Sequence, residues 1–277
     1  MKAIRSTPYA RLPRAYRESH VIGTTVDAYG RAHWVAAGPT PYEGVIVTVD
    51  AGRTEETHLS AVLPRHARVD ALPDGGFVIA DTGGGVRVFD ALGRLSWTFG
   101  VGYGVEYLLT DTAGDLWVGY FDEGIYSGDP LSGAGLRRWS STGEPLWACK
   151  APPGVADIWD ICSLNVGTNG VWSSPYGGAP LLEIRDDGVR VRTGPVRGAM
   201  ALAVHGDLAV FLSGNGEDAD LLTYCRLTPA TAEPVSRGRF RRADGSTPFR
   251  HQRICRGSRM YVRHEPSPDW EVLDIAG

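Results

Sequence analysis

Gly114-Asp-Leu-Trp-Val-Gly-Tyr-Phe-Asp-Glu-Gly-Ile-Tyr126 is the stretch whose reading decides the fold. Its first half is a tight Gly-Asp turn followed by a short apolar run centred on Trp117, which reads as a hairpin turn and the strand that leaves it. Its second half breaks that pattern. Asp122, Glu123 and Tyr126 sit in a glycine-containing loop with no apolar period.

Five other segments can be laid over the first half. Each has an apolar strand, a short Gly/Asp turn, then a second strand with a bulky residue: Trp34, Phe77, Trp117, Trp172, Val210 and Tyr261. Successive spacings are 43, 40, 55, 38 and 51 residues by subtraction, close to the period of roughly 40–50 residues typical of propeller blades. Further strand–turn–strand units follow, as in Val86–Asp90 with Leu95–Phe99 and Arg137–Ser140 with Pro145–Ala148. No segment sustains a 3.6-residue apolar period, so almost no helix is expected. The expectation is an all-β, six-bladed β-propeller with four-stranded blades. As a single domain, its blades run over residues 21–60, 65–100, 104–150, 157–194, 198–242 and 249–277 with part of 1–20. A strand from residues 3–14 is one way to complete the last blade and fasten the ring.

Composition agrees. With 43% hydrophobic and 22% charged residues, the chain has enough apolar content for a core and is not disordered. A net charge of −4 argues against a nucleic-acid partner, which needs a broad basic surface. The charged N-terminus does not read as a signal peptide, and no apolar run is long enough to span a membrane. Four cysteines with no C-x-x-C spacing read as reduced, buried thiols of a cytoplasmic protein. Lys2 and Lys150 are the only lysines, an arginine bias that points to a GC-rich bacterial source.

Trp117-Val-Gly-Tyr-Phe-Asp-Glu-Gly124, followed by Gly135-Leu-Arg-Arg-Trp139 and Thr142-Gly-Glu-Pro-Leu-Trp147, resembles a segment of a group of uncharacterised actinobacterial β-propeller-like proteins. Leu164-Asn165-Val166, Val171-Trp172 and Pro180-Leu-Leu-Glu-Ile184 resemble a second segment of that group. Ser163 and Ala179 depart from its pattern, where an apolar and an aromatic residue are expected. The resemblance covers roughly residues 61–210. It implies the fold, and it carries no activity or catalytic residue.

Loop lengths point to one functional face. First-to-second and third-to-fourth strand turns are uniformly short. The second-to-third loops are long and irregular: residues 37–43, 81–85, 122–135, 174–179, 214–220 and 265–269. Long loops on a rigid scaffold are where binding residues concentrate. Counting eleven residues back from each anchor gives the inner-strand positions Gly23, His66, Glu106, Ile161, Ala199 and Arg250. With Asp160, Arg197 and His251 beside them, these place mixed charge at a channel mouth.

Two functions follow. In the first, His66, Glu106, Asp160 and His251 work as acid–base residues of a cofactor-independent lyase, isomerase or hydrolase. Arg197 and Arg250, with Asp122, Glu123, Tyr126 and Tyr176, hold a small polar or anionic ligand. Glu106, Asp157 and Asp160 also offer the oxygen ligands that a divalent cation such as Ca²⁺ takes. In the second, the same face is a non-catalytic platform for a protein or peptide, with Tyr42, Tyr103, Tyr126, Tyr176 and Trp159 as aromatic anchors. Each residue also has a structural reading: Asp122-Glu123 as a solvated turn, the histidines as satisfied polar groups. Asp81-Thr-Gly-Gly-Gly85 lacks the lysine and helix of a phosphate loop and reads as an inter-strand loop. No zinc-ligand spacing, nucleophile elbow or dinucleotide fingerprint is present.

Overall fold

The computed structural model describes every residue except 18–19, 41, 151–157, 159, 177–179, 187, 215 and 249–250. Among the described residues are 25 strands, a single-turn α-helix at Asp122–Ile125, and 3-10 turns at Arg14–Tyr16 and Gly216–Asp218. The chain is all-β. It divides into two compact units, Ala10–Cys149 and Met1–Tyr9 with Lys150–Gly277.

The chain opens with β1 (Lys2–Arg5) and β2 (Thr7–Ala10). The Ala10–Cys149 unit then forms three four-stranded antiparallel sheets, each a simple meander. The first is β3 (Val21–Val26), β4 (Ala32–Ala37), β5 (Glu43–Asp50) and β6 (Arg53–Ser60). The second is β7 (Arg68–Ala71), β8 (Phe77–Ala80), β9 (Gly85–Phe89) and β10 (Leu95–Gly100). The third is β11 (Val105–Thr110), β12 (Leu116–Tyr120), β13 (Leu136–Trp139) and β14 (Pro145–Ala148).

One local device shapes the turns of this unit. In Asp27-Ala-Tyr-Gly-Arg31, Asp27 Oδ1 accepts the amides of Tyr29 at 2.9 Å and Arg31 at 2.8 Å. Asp90 treats Leu92 and Arg94 in the same way, and Asp111 treats Ala113 and Asp115. Ser140 does it with a hydroxyl. The fourth residue is glycine each time, because the turn needs a positive φ there: 84° at Gly30, 75° at Gly93, 92° at Gly114 and 90° at Gly143. The aspartate then reaches the side chain six residues on. His33 Nε2 lies 2.9 Å from Asp27 Oδ2, and Trp117 Nε1 donates to Asp111 Oδ2 at 3.0 Å. The turn thus fixes both the hairpin and the strand leaving it.

Adjacent sheets pack face to face. Val35, Ile46 and Leu59 meet Val69, Phe77, Ile79 and Phe89, and the next interface joins Leu72, Val78 and Val88 to Leu108, Leu116, Val118, Tyr120 and Trp139. Burying one such side chain contributes about 1.5–3 kcal/mol. At the rim, the β9–β10 and β13–β14 turns lean on the outer strand of the sheet before them, Gly93 against His58 and Gly143 against Phe99. Trp97 Nε1 of β10 donates to the carbonyl of Ser141 at 3.0 Å.

The second unit holds β15 (Ile161–Gly167), β16 (Gly170–Pro175), β17 (Pro180–Arg185) and β18 (Gly188–Thr193). It continues with β19 (Ala199–His205), β20 (Leu208–Ser213), β21 (Leu221–Leu227) and β22 (Ala232–Arg241), then β23 (His251–Arg256), β24 (Arg259–His264) and β25 (Trp270–Asp274). β1 adds to β22 in parallel, making a five-stranded sheet. β2 lies beside β25, so an N-terminal strand does supply the fourth strand of that run. β15 pairs in parallel with β23 at Asn165 and Cys255, which merges two four-stranded runs into one eight-stranded sheet. Among the described residues there are therefore five sheets rather than six separate ones, and none of them closes on itself.

That pairing also changes the reading of the inner strands. Asn165 is fully buried, and its side-chain amide donates to the carbonyls of Leu202 and Gly257, each at 2.8 Å. Its oxygen accepts the Gly257 amide at 2.7 Å. Within this unit β15, β19 and β23 are stitched to one another through Asn165 and the Gly257 backbone. All four cysteines are buried thiols outside any disulfide. Burial pushes Cys149, Cys225 and Cys255 up to about 11 and Cys162 up to about 12.

Candidate functional site

First-to-second strand turns and second-to-third strand loops lie at opposite ends of the antiparallel meanders, but residues 81–85, expected to be a long loop, are a tight turn in which Asp81 Oδ1 accepts the Gly85 amide at 2.9 Å. Of the long loops, residues 121–135 form the most developed feature. Phe121 donates its amide to the carbonyl of Gly104, and Ile125 and Tyr126 close a helical turn on Phe121 and Asp122. Ser132 Oγ donates to the Gly124 carbonyl at 2.6 Å, and Ser127 Oγ donates to it at 2.7 Å. Asp129 Oδ2 accepts the Tyr103 amide at 3.1 Å, and the buried Tyr120 hydroxyl donates to the carbonyl of Val101. Gly104 and Gly124 approach so closely that a Cβ on either would strike the other's backbone.

The loop is packed down on residues 101–104, and its glycines serve close approach and turning. Gly124 is needed for contact, whereas Gly128 and Gly135 take positive φ.

What this platform presents to solvent is aromatic and acidic. Tyr126 is 61% exposed and Tyr103 is 43% exposed, values high for rings of this size on a well-packed scaffold. Asp122 and Glu123 are exposed on the helical turn beside them. Glu123 Oε2 accepts from the Tyr103 hydroxyl at 3.5 Å, a long contact that places the two side chains together. Asp122, Glu123 and Tyr126 stand exposed on this one helical turn. Tyr103 and Asp129 complete the platform. The signal for Tyr103 was its place in the Gly102–Gly104 link, next to the loop end. Asp129 carried no signal, because its role comes from the loop's fold.

The acid–base candidates do not assemble in the same way. Glu106 is bound by Arg68 of β7, Nη2 to Oε2 at 2.8 Å. It also occupies a β-bulge, since Val105 pairs with Tyr120 and Tyr107 with Gly119. First strands β3, β15 and β19 carry bulges near the same place, at Val21/Gly23, Ile161/Ser163 and Ala199/Ala201. A bulge adds a residue and re-aims the side chain, which is why gapless counting does not project these positions onto one wall.

His66 is exposed in the link before β7, and no hydrogen bond joins it to Glu106. Asp160 is half-buried before β15, where its carbonyl accepts the Tyr176 amide at 2.8 Å. Tyr176 is exposed at the end of β16, and Tyr42 is exposed before β5. Arg197 is exposed in the turn before β19. Arg250, Asp157 and Trp159 lie outside the described residues. Among the described residues, no three His, Cys, Asp or Glu side chains converge on a metal position.

His251 lies elsewhere, in a buried patch of the second unit. Its ring centroid is 5.7 Å from that of His264, and both nitrogens of both rings lack hydrogen-bond partners among the described residues. Burial, then the charges of Arg253 and His264, pushes His251 down to about 3. Burial also lowers His264, against the pull of Glu271 at 3.6 Å. His251, held this far below physiological pH, stays neutral and is poorly suited to exchanging protons with a substrate at pH 7.

No helix among the described residues is long and apolar enough to cross a membrane. No family model matches the chain, and no curated protein matches it. Solved structures do. The WD40 β-propeller domain of Doa1 matches with a TM-score of 0.57 at 10% identity, over 98% of this chain and 97% of that one. The β-propeller domain of Cps50 (Swd1) from Myceliophteria thermophila matches at 0.56 and 7% identity, over 98% and 99%. A functionally unknown protein from Desulfotomaculum acetoxidans matches at 0.55 and 12% identity, over 93% and 83%. At such identities the likeness is one of fold: this all-β chain is built like the β-propeller domains.

Proposed function

We propose that this protein is a β-propeller whose long-loop face docks a protein or peptide, and that the platform of Tyr103, Asp122, Glu123, Tyr126 and Asp129 is the centre of that contact. The six blades are β3–β6, β7–β10, β11–β14, β15–β18, β19–β22, and β23–β25 with β2. The likeness over 98% of the chain to two propeller domains supports this arrangement.

The observation that carries the functional reading is the pair of exposed tyrosine rings on a loop pinned by backbone hydrogen bonds. Rigid aromatic rings lose little conformational entropy on contact and are common anchors of interfaces. Three carboxylates beside them select a partner segment carrying arginine or lysine, which can lie over a ring and pair with an acid at once. The acid–base reading has less support, because Glu106 is engaged by Arg68 and His251 is held neutral beside His264. Fold likeness itself assigns no partner.

The test compares the protein with a triple variant, Asp122→Asn, Glu123→Gln and Tyr126→Ala, in affinity capture from its own cells. The three side chains are exposed, so the melting temperature stays within about 2 °C, since surface changes stay within about 0.5 kcal/mol. The expected result is a stoichiometric protein partner held by the parent and lost by the variant. Equal retention by the variant would remove this platform from the interface.

A further inference from the structure

A second concavity lies among first-to-second strand turns, where short turns alone were expected to close the scaffold. It has a volume of about 500 Å³ and belongs wholly to the second unit. Three first-to-second strand turns form it: Gly167–Gly170 between β15 and β16, His205–Gly206 between β19 and β20, and Gly257–Ser258 between β23 and β24. They converge because Asn165 ties the Gly257 backbone to Leu202, and because Val204 donates its amide to the Gly257 carbonyl at 2.8 Å. Gly206 and Gly257 have positive φ, 59° and 53°, and nothing lies within 4 Å of where their Cβ atoms would stand. The hollow is thus kept open by glycine, and its floor is fixed by a buried hydrogen-bond network.

Its chemistry is one-sided. The polar lining consists of Thr168, Asn169, Ser258, His205 and Arg185, and among the described residues no carboxylate lines it. Just behind the wall, Glu183 is the single buried carboxylate facing three guanidinium groups. It lies 2.6 Å from Arg185, 3.5 Å from Arg190 and 2.6 Å from Arg192. Arg192 is buried with Glu183, whereas Arg185 and Arg190 are exposed beside Asp186 of the same turn, so the cationic group offered to the cavity is Arg185. Arg185 uses its Nε for Glu183 and remains 60% exposed. Its terminal nitrogens are placed to form the forked pair of hydrogen bonds that oxyanions accept.

We infer that this cavity binds a small oxyanion, a carboxylate or a phosphoryl group, with Arg185 and His205 as its principal contacts and the Thr168 and Asn169 side chains as neighbouring donors, the Ser258 hydroxyl being spent on Asp274 Oδ1 at 2.8 Å. This site belongs to the second unit, is built from first-to-second strand turns rather than second-to-third loops, and asks nothing of a protein partner.

Calorimetric titration of the full chain at fixed ionic strength tests it, with inorganic phosphate and citrate as the probes. Saturable one-site binding of at least one is expected. Binding of phosphate alone identifies a phosphoryl ligand, and binding of citrate alone a polycarboxylate. Arg185→Gln and His205→Gln should each weaken that binding by about tenfold, the size of one charge-assisted contact. His205 is exposed, so its variant stays folded if Arg185→Gln disturbs Glu183. Arg94→Gln removes the same charge from an exposed turn of the other unit and should change nothing. No saturable binding of either probe would overturn the proposal. So would an equal loss in Arg94→Gln, which would mean general charge screening rather than a site.

Discussion

At the scale of single residues, the turn aspartates show how one sequence feature carries different energies in different surroundings. Asp27 and Asp90 make the same pair of turn hydrogen bonds, and each holds an arginine four residues on. Asp27 is also buried against His33, whose other ring nitrogen meets Thr48 at 2.9 Å. Removing the Asp27 carboxylate strands a buried imidazole and two amides, so Asp27→Ala should cost about 3 kcal/mol. Asp90→Ala leaves its groups in water and should cost much less. Urea denaturation of the two variants gives the comparison, and equal losses would contradict it.

The histidine pair adds a pH dependence with a definite sign. An unfolded histidine takes up a proton near 6.5, whereas folded His251 resists to about 3. Between those values the unfolded chain binds more protons, so stability falls as pH drops through that window. Asp27, held at about 2 although burial opposes it, acts only below the ordinary carboxylate range. Melting temperatures measured from pH 7 to 4.5 should fall, and His251→Gln should flatten the slope. An unchanged slope in that variant would place the acid sensitivity elsewhere. The turns were legible in the sequence because an Asp-x-x-Gly pattern is local. The His251–His264 contact was not, because it depends on strand register.

At the scale of elements, the decisive features are the bulges and the two N-terminal strands. Every second strand was legible, since its bulky anchor follows a glycine turn. The inner first strands were legible as strands but not as a site, because a bulge at Glu106 turns its carboxylate to Arg68. Nothing in a one-dimensional count marks an extra residue. β1 and β2 complete two sheets from the far end of the chain. Ser6 Oγ adds a hydrogen bond to Glu271 Oε2, which also accepts the Ala243 amide at 3.0 Å. Deleting residues 1–10 uncovers the edges of β22 and β25. The melting temperature should drop by roughly 6–12 °C, equivalent to about 3 kcal/mol for a chain of this size, and aggregation should increase because open edges pair. A truncated chain that melts with the parent would show that these strands fasten nothing.

At the scale of the whole molecule, the contrast between short turns and long loops holds at residues 121–135 and fails at 81–85, where Asp81 closes a tight turn. It rests on turn chemistry, which the sequence states directly. The long-range pairing of β15 with β23 had no local signature. The long-loop face offers rings and carboxylates on a fixed loop, and that is the account's central claim. Site-specific photo-cross-linking in cells tests it most directly. A benzophenone amino acid is placed at Tyr126 and Tyr103, and at Leu92 and Val235 as exposed positions away from the platform. The account predicts a discrete protein adduct from Tyr126 and Tyr103 and none from the other two. Absence of an adduct at Tyr126, or adducts of equal yield at all four positions, would contradict it.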